Sequence, residues 1–318
     1  MTGLALAGGY LADVAFGDPA RGHPVAGFGQ LAQRVEASVY APTRVRGVCY
    51  AAALVGTAAA GAELAGRSAQ RAAGPVGRTA VLAVVTWAAL GGRGLALVAD
   101  RLADEVLSGD LAAARGTLPW LCGRDPEGLD AAGLSRAALE SVAENTSDAV
   151  VGALLWGAIA GPAGVAGYRA ANTLDAMVGH RSPRYAEFGW ASARLDDALC
   201  WPAARLGAAL TALCAPLVGG LPDATWRIVI EDGASHPSPN AGRVESAFAG
   251  ALGVTLGGPL AYAGRPEVRP TLGDGPAPTA ADVHRATRLS RAVGIAAAAV
   301  CAVLRAGVLW SRRRVAAR

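Results

Sequence analysis

The sequence contains no lysine: all 29 of its basic residues are arginine. A nucleotide-binding P-loop needs a lysine that reaches the phosphates, so this kind of phosphate site is excluded. Schiff-base chemistry, including that of pyridoxal phosphate, needs a lysine amine and is excluded as well. The motifs GxGxxG, HExxH and GxSxG are also missing. The chain therefore has no fingerprint of a nicotinamide enzyme, a zinc protease or a serine hydrolase.

Charged and aromatic residues are scarce, at 17% and 5% of the chain, whereas 53% of the residues are hydrophobic. This composition is typical of a membrane protein. The five cysteines form no CxxC pair and the four histidines are widely spaced, so no zinc site is predicted. The net charge is +4, but no basic patch is interleaved with aromatic residues, which argues against a nucleic-acid partner.

Apolar segments alternate with polar ones along the whole chain. The candidate membrane spans are 47–66, 79–98, 149–168, 199–222 and 292–310, and the polar portions are 99–148, 169–197 and 223–291. We predict an all-α, multi-pass integral membrane protein with extramembrane helical and loop segments, forming a single domain over residues 1–318. The cluster Arg312-Arg-Arg314 after the last span predicts a cytoplasmic C-terminus and insertion in the cell membrane.

An internal repeat lies in the middle of the chain. The segment 145–152, NTSDAVVG, is followed by 172–179, NTLDAMVG, and six of the eight positions are identical. The apolar segment between the copies is interrupted at Gly161-Pro162, which favours a turn. We therefore predict a broken or re-entrant helical hairpin over about 149–176, which would bring the two copies together. A single span over 149–168 would instead place them on opposite faces of the membrane.

Acidic and basic side chains concentrate around this repeat. Glu140, Glu144 and Asp148 follow one another at helical spacing, and Asp196-Asp197 precedes the next apolar segment. Each group has a plain structural alternative, a solvated helix face for the first and a helix cap for the second. Carboxylates from several segments suit Mg²⁺, whereas Arg169, with the neighbouring His180 and Arg181, suits phosphate or carboxylate oxygens.

The loop from His236 to Gly242 carries an imidazole, a hydroxyl and an amide on a backbone that two prolines stiffen. Ser238 and Asn240 supply the hydroxyl and the amide. As a turn the loop needs no further function, and the spacing alone does not decide between these interpretations.

Taken together, these motifs resemble those of the adenosylcobinamide-phosphate synthase family of cobalamin biosynthesis. The match follows one order along nearly the whole chain, through Asp13 with Gly17-Asp-Pro19, His23-Pro-Val25, 140–148 (ESVAENTSD), 168–177 (YRAANTLDAM), Gly179-His-Arg181, Tyr185-x-x-Phe-Gly-Trp190, Asp196-Asp197, 236–242 (HPSPNAG) and Leu256-Gly-Gly-Pro259. Two departures are visible: the family usually has asparagine where this chain has Cys200, and the Pro-x-Arg element that follows is shifted by one residue.

The resemblance implies a carbon–nitrogen ligase that uses ATP and Mg²⁺. Such an enzyme joins (R)-1-amino-2-propanol, or its O-phosphate, to a propionate carboxylate of adenosylcobyric acid, giving adenosylcobinamide or its phosphate. As a hypothesis we assign catalytic roles to Glu140, Glu144, Asn145, Asp148, Asn172, Asp175 and His180. Substrate binding is assigned to Arg169, Arg181, Asp13, Asp18, His23, His236, Ser238 and Asn240. Metal binding is assigned to Glu144, Asp148, Asp175, Asp196 and Asp197.

Two other classes of function remain open at this point. Repeated motifs around a broken apolar segment are also typical of transporter binding sites, and an anionic corrinoid could be the cargo. A membrane scaffold that associates with other enzymes of corrinoid synthesis is the non-catalytic alternative. Product formation from ATP, Mg²⁺, aminopropanol phosphate and cobyric acid distinguishes the ligase from both.

Overall fold

A computed structural model describes residues 2–18, 22–180, 182–262 and 265–316. Most of these residues are helical, which confirms the predicted all-α class. The α-helices in the described residues are α1 (Thr2–Phe16), α2 (Pro24–Val39), α3 (Arg44–Ala89), α4 (Gly92–Leu107), α5 (Leu111–Thr117), α6 (Ala131–Asn145), α7 (Gly152–Ala160), α8 (Pro162–Leu174), α9 (Trp190–Cys214), α10 (Pro222–Glu231), α11 (Ala241–Leu252) and α12 (Ala280–Ala316).

The exception to the helical fold is a two-stranded antiparallel hairpin, with β1 at Leu256–Tyr262 and β2 at Arg265–Leu272. Its residues include several prolines, which a strand tolerates when it lies at the edge of a sheet, as both strands of a two-stranded sheet do. Gly257 and Gly258 both have positive φ and lie where the strand register shifts. The hairpin is difficult to predict from the sequence, because its glycine and proline residues are typical of loops.

Within the part of the chain that the structure describes, three helical runs are long and apolar enough to cross a membrane: Arg44–Leu107, Trp190–Val218 and Ala280–Ser311. The predicted segments 47–66 and 292–310 lie within them. Segment 79–98 is divided, because α3 ends at Ala89 and Leu90 has an extended backbone before α4 begins. Segment 199–222 overlaps the run Trp190–Val218 but begins and ends later than that run.

The chain groups into two compact units. Unit 1 comprises Met1–Gly91, Asp148–Pro202 and Ala297–Arg318, and unit 2 comprises Gly92–Ser147 and Ala203–Ala296. Each unit is discontinuous in sequence, so the residues of any one site must be gathered from distant segments.

Within unit 1, α3 is a helical hairpin rather than one straight helix. Ala73 and Gly74 leave helical geometry, with Gly74 at φ 62° and ψ −152°, and Pro75 starts the second limb. Arg78 on that limb donates hydrogen bonds of 2.9 Å to both carboxylate oxygens of Glu63 on the first. The break therefore turns the chain back on itself.

A second break of the same kind separates α7 from α8. Gly161 has φ 68° and ψ −144°, and Pro162 begins α8. The buried Arg305 of α12 donates to the carbonyl oxygen of Ala158 at 3.2 Å, which satisfies a carbonyl at the end of α7. The hairpin predicted at Gly161-Pro162 is thus confirmed, and segment 149–168 is not a single straight helix.

Alanine at Gly161 is expected to destabilise the protein by about 1–3 kcal/mol, because this φ and ψ combination is nearly exclusive to glycine. An added Cβ would also lie 2.9 Å from Nη2 of Arg305. The measurement is the thermal unfolding midpoint in detergent. Gly56, on the first limb of α3, is the matched control, since its Cβ would meet no atom within 4 Å. Gly56→Ala should be neutral or stabilising by up to roughly 1 kcal/mol, and equal effects at both positions would contradict the prediction.

Unit 2 packs α4, α5, α6, α10 and α11 with the β hairpin. Its core includes Leu134 and Leu139 of α6 and Phe248 of α11, all fully buried. Thr146, directly after α6, donates to the hydroxyl of Ser290 on α12 at 2.6 Å. Small residues and short apolar side chains fill the rest of this core, which lets polar groups on α6 and α11 lie deep within the unit.

Candidate active site

Each copy of the internal repeat contains a point at which the α-helix gives way to a π-helical turn. After α6 the chain forms a π-helical turn over Thr146–Val151, and after α8 it forms another over Asp175–Gly179. Turns of this kind are rare and occur frequently at functional sites. The predicted acidic stripe is therefore α-helical only for Glu140 and Glu144, because Asp148 already lies in the π turn.

Each copy of the repeat ends in a glycine, and the neighbours of that glycine give a steric reason for it. A Cβ at Gly152 would collide with the ring of Tyr168, and a Cβ at Gly179 would collide with the carboxylate of Asp175. With glycine at position 152, the Tyr168 hydroxyl reaches the backbone oxygen of Asp148 and donates to it at 3.0 Å. Each glycine at the end of a copy thus makes room for a polar group of the site.

The centre of the unit 1 site is formed by Asp148, Asp196 and Cys200. One ligand atom from each lies within 4.8 Å of the others. The thiol of Cys200 donates to both oxygens of Asp196 at 3.4 Å, and Asn172 Nδ2 donates to Oδ1 of Asp196 at 3.3 Å. Asp196 and Cys200 are buried. The structure therefore brings Asp148, Asn172 and Asp196 together, as predicted.

Arg169 supplies positive charge at this site. Its Nη1 donates to Oδ1 of Asn172 at 3.1 Å. Asp18, Asp148 and Asp196 all act electrostatically on its guanidinium. Asp18 in turn contacts Nε2 of His23 at 3.3 Å. These predicted substrate-binding residues thus belong to one electrostatic group in unit 1.

His23 and Asp13 hold the first two helices in place. Nδ1 of His23 accepts from the backbone N–H of Val25 at 3.2 Å, which caps the start of α2. Asp13 lies on α1 and is 1% exposed. A buried carboxylate on an apolar helix has a structural or catalytic purpose, since it is costly to desolvate.

Asp175 and Asp197 form an acidic pair next to this group. Burial first, and the negative charge of Asp197 second, raise the pKa of Asp175 to about 6, while His180 acts in the opposite direction. Nη1 of Arg194 lies 3.1 Å from Oδ2 of Asp197. His180 itself is exposed and packs edge-on against Tyr185. Arg181 lies outside the described residues, so its predicted role stays a prediction.

The raised pKa of Asp175 predicts that Asp175→Asn is more stable than the natural protein at pH 8. Folding disfavours the ionised carboxylate, so the penalty is absent below about pH 4, where the unfolded group is protonated, and grows as the pH rises to about 6. The gain at pH 8 should be on the order of 1–3 kcal/mol and should disappear at pH 4. Thermal unfolding with a metal chelator measures it. The exposed Glu127→Gln should show no such trend, and a gain that is constant with pH would contradict the prediction.

The motif from Tyr185 to Trp190 packs the site rather than lining it. The Tyr185 hydroxyl donates to Oε1 of the buried Glu36 at 2.9 Å. Phe188 is fully buried between Tyr40 and Tyr50. A Cβ at Gly47 would collide with the carbonyl of Phe188. These contacts hold the segment after the second π turn against α2 and α3.

Unit 2 holds a second buried acidic group. Glu140 accepts from Arg124 through one oxygen and from the backbone N–H of Gly257 at 2.7 Å through the other. Glu245 of α11 is 2% exposed. Burial, followed by the charges of Glu140 and Glu144, raises the pKa of Glu245 well above its usual range, while Arg269 and Arg124 lower it. Unit 2 thus gathers three carboxyl groups with compensating arginines.

The loop that starts at His236 is fixed against this group. Nε2 of His236 lies 4.0 Å from Oε2 of Glu245, and Nδ1 accepts from the N–H of Ser238 at 3.0 Å. The Ser238 hydroxyl accepts from the backbone N–H groups of Asn240 and Ala241, and Nη1 of Arg205 donates to Oδ1 of Asn240 at 2.8 Å. Ser238 and Asn240 therefore shape the loop around His236.

Asn145 differs from its counterpart Asn172. Its Nδ2 donates to the carbonyl oxygen of Ser141 at 3.0 Å, within its own helix, whereas Asn172 joins Arg169 to Asp196. The two copies of the repeat thus place the same amide in different surroundings.

Four residues of these groups were missed by the sequence analysis: Arg124, Tyr168, Cys200 and Glu245. A signal existed for Glu245, because it is the only carboxylate in the otherwise apolar segment 244–256. Arg124 lies in a loop rich in turn residues, where an arginine has no distinguishing pattern. The pairing of Arg124 with Glu140 becomes evident only once the fold is known.

The donor set of unit 1 fits Mg²⁺. Mg²⁺ takes oxygen ligands and is commonly bound by one or two carboxylates together with water and substrate phosphates. Asp148 and Asp196 supply such carboxylates at compatible separation. The thiol of Cys200 is a poor ligand for Mg²⁺, but it already acts as a hydrogen-bond donor to Asp196.

Proteins of similar sequence identify the family of this chain. A family model described as CobD/Cbib protein matches residues 6–290. A cobalamin biosynthesis protein CobD from Mycobacterium tuberculosis is 53% identical over 296 residues, 93% of each chain. Proteins of the same name from Geobacter metallireducens and Rhodobacter capsulatus are 43% and 41% identical, over 87% and 91% of this chain and 88% and 91% of their own. No solved structure matches. The chain belongs to the CobD/Cbib family, the family of adenosylcobinamide-phosphate synthases that its motifs resemble.

Proposed function

We propose that this cobalamin biosynthesis protein is a carbon–nitrogen ligase of the membrane. It joins the amine of (R)-1-amino-2-propanol, or of its O-phosphate, to a propionate carboxylate of adenosylcobyric acid, with consumption of ATP in the presence of Mg²⁺. The observation that carries the proposal is the group of Asp148, Asp196, Asn172 and Arg169 in unit 1. It combines carboxylates suited to Mg²⁺ with a guanidinium suited to phosphate.

Amide formation from a carboxylate needs activation, and transfer of the γ-phosphoryl group of ATP supplies it. A corrinoid carboxylate oxygen bonds to the γ-phosphorus as the bond to ADP breaks, which gives an acyl phosphate. The amine nitrogen then bonds to the acyl carbon, inorganic phosphate leaves, and the ammonium proton passes to a carboxylate of the protein. Bound Mg²⁺ neutralises phosphate charge during such a transfer.

The residues of the chain have separate tasks in this reaction. Asp148 and Asp196 hold the cation, and Asn172 keeps the Asp196 carboxylate oriented by its hydrogen bond. Arg169 binds phosphate oxygens. Asp175 has a pKa of about 6, near the pH at which a general base is most effective, so it suits the role of proton acceptor.

We place the protein in the cytoplasmic membrane with several spans, in contact with the corrinoid, the amino alcohol and ATP. Association with other enzymes of the pathway is part of this hypothesis.

The deciding experiment supplies purified protein with ATP, Mg²⁺, aminopropanol phosphate and adenosylcobyric acid, and follows cobinamide phosphate by mass spectrometry. We expect product that depends on both ATP and Mg²⁺. A parallel assay in proteoliposomes follows corrinoid flux. Flux without product would favour a transporter, and neither flux nor product would favour a scaffold.

A further inference from the structure

Unit 1 contains a cavity of about 330 Å³ between α2, both limbs of α3, and α8. We call it the unit 1 cavity. Its wall includes Phe28, Ala58, Val85, Ala166, Arg169 and Thr173. Its volume lies at the lower end of the range of small-molecule sites. The cavity therefore has room for an organic group of moderate size.

The wall is apolar apart from one charged side chain and one hydroxyl group. Of the described residues that line it, Arg169 alone carries charge. The Thr173 hydroxyl donates to the carbonyl oxygen of Arg169 at 2.8 Å, so its hydrogen is used within α8. The Nε of Arg169 is buried and has no hydrogen-bond partner among the described residues. A matching ligand has one anionic group for this guanidinium and an apolar body for the apolar wall.

This step rests on the proposed function. In 1-amino-2-propanol O-phosphate, the methyl group and the phosphate oxygen are attached to the same carbon atom. When Arg169 binds the phosphate, the methyl carbon lies three bonds from the ester phosphorus and so within reach of the apolar wall. A methyl group fills only a small part of a cavity with room for about ten water molecules.

We propose that the unit 1 cavity is the pocket for the alkyl substituent of the amino alcohol. The substrate class of this chain then extends to O-phosphorylated 1-amino-2-alcohols with alkyl groups longer than methyl. Each further methylene buried in the pocket lowers KM by up to about fourfold, until the cavity is full.

The test compares 1-amino-2-propanol O-phosphate with its six-carbon homologue, 1-amino-2-hexanol O-phosphate, under otherwise identical conditions. The readout is the ratio of kcat/KM for the six-carbon substrate to that for the three-carbon one. This ratio does not change when part of the protein is inactive. We expect the natural chain to convert both, with a ratio of at least one.

Ala166→Leu and Ala58→Leu fill the cavity from two helices, and each should lower this ratio by at least about tenfold, since three added carbon atoms occupy the space that the longer chain needs. Ala60→Leu is the matched control. Ala60 lies on the same limb of α3 as Ala58 but is exposed, so the ratio should stay unchanged.

Three results would overturn the inference. The first is conversion of the three-carbon substrate without the six-carbon one, which leaves the proposed function intact. The second is a ratio that Ala166→Leu leaves unchanged, together with a natural protein that is less stable to heat in lipid-free detergent than in detergent with lipid. This result would assign the cavity to a lipid chain. The third is that neither substrate gives product, which would contradict the proposed function itself.

Discussion

Replacing Asp148 or Asp196 by asparagine is expected to reduce ATP-dependent condensation by more than about 100-fold. Loss of an outer partner of a metal ligand already costs about 10–100-fold in activity or metal affinity. Asparagine keeps the size of the side chain but has no negative charge to hold Mg²⁺. The measurements are the rate of product formation and the Mg²⁺ concentration that gives half of the maximal rate, which should rise in both variants.

Glu127→Gln removes one negative charge from an exposed position and is the matched control. It should leave the rate and the Mg²⁺ dependence unchanged. The thermal unfolding midpoint of both aspartate variants should not fall, because each removes a charge from a crowded acidic group. Near-normal condensation in Asp148→Asn and Asp196→Asn would show that the cation is bound elsewhere.

Replacing Arg124 by methionine is expected to destabilise the protein by roughly 3–5 kcal/mol, the usual effect of removing one partner of a buried ion pair. The side chains of Arg124 and Glu140 are 4% and 6% exposed. Without the guanidinium, the charge of Glu140 stays buried and is opposed by the hydrogen bond from the N–H of Gly257 alone among its described contacts. Thermal and chemical unfolding in detergent, followed by a probe in unit 2, measures the effect.

The matched control is Arg101→Met, which breaks a surface pair with Glu105 in the same unit. Exposed pairs contribute at most about 1 kcal/mol. A second variant, Arg124→Met with Glu140→Gln, should recover much of the lost stability, because it removes the buried charge and keeps an acceptor for Gly257. If Arg124→Met is as stable as Arg101→Met, the pair is not what stabilises this part of unit 2.

The sequence was sufficient to predict the central hairpin. Glycine followed by proline inside an apolar segment is a strong turn signal, and Gly161 takes a conformation that other residues rarely adopt. The same signal at Gly74-Pro75 divides α3. The internal repeat also drew attention to Asp148, Asn172 and Asp175. A repeat of eight residues can be recognised in the sequence without any knowledge of how far apart its copies lie in space.

Contacts between distant segments could not be predicted in this way. Glu140 meets Arg124 and Gly257, and His236 meets Glu245, through packing that no local pattern specifies. The β hairpin was missed because its glycine and proline residues favour loops, and the tertiary fold overrides that preference. Local sequence signals were enough to predict where the chain turns. The partners of buried charges depend on the complete fold and could not be predicted from local patterns.

The buried acidic groups also explain why such a site is costly to maintain. Asp175 in unit 1 and Glu245 in unit 2 both have raised pKa values because burial and like charges disfavour their ionised forms. A protein that needed only stability would replace them with apolar residues. The desolvation of these carboxylates accounts for the expected gain in stability of Asp175→Asn.

The two π turns set a limit on redesign of this protein. A π turn holds one residue more than an α-helical turn, so an idealised α-helix through 146–151 or 175–179 would have to omit a residue. Every side chain beyond that point would then rotate by about 100° around the helix axis. A designer who regularised these segments with strong helix formers would gain helical stability, but would turn the acidic side chains away from their partners. A redesign that keeps the positions of these acidic side chains therefore has to keep the two π turns as well.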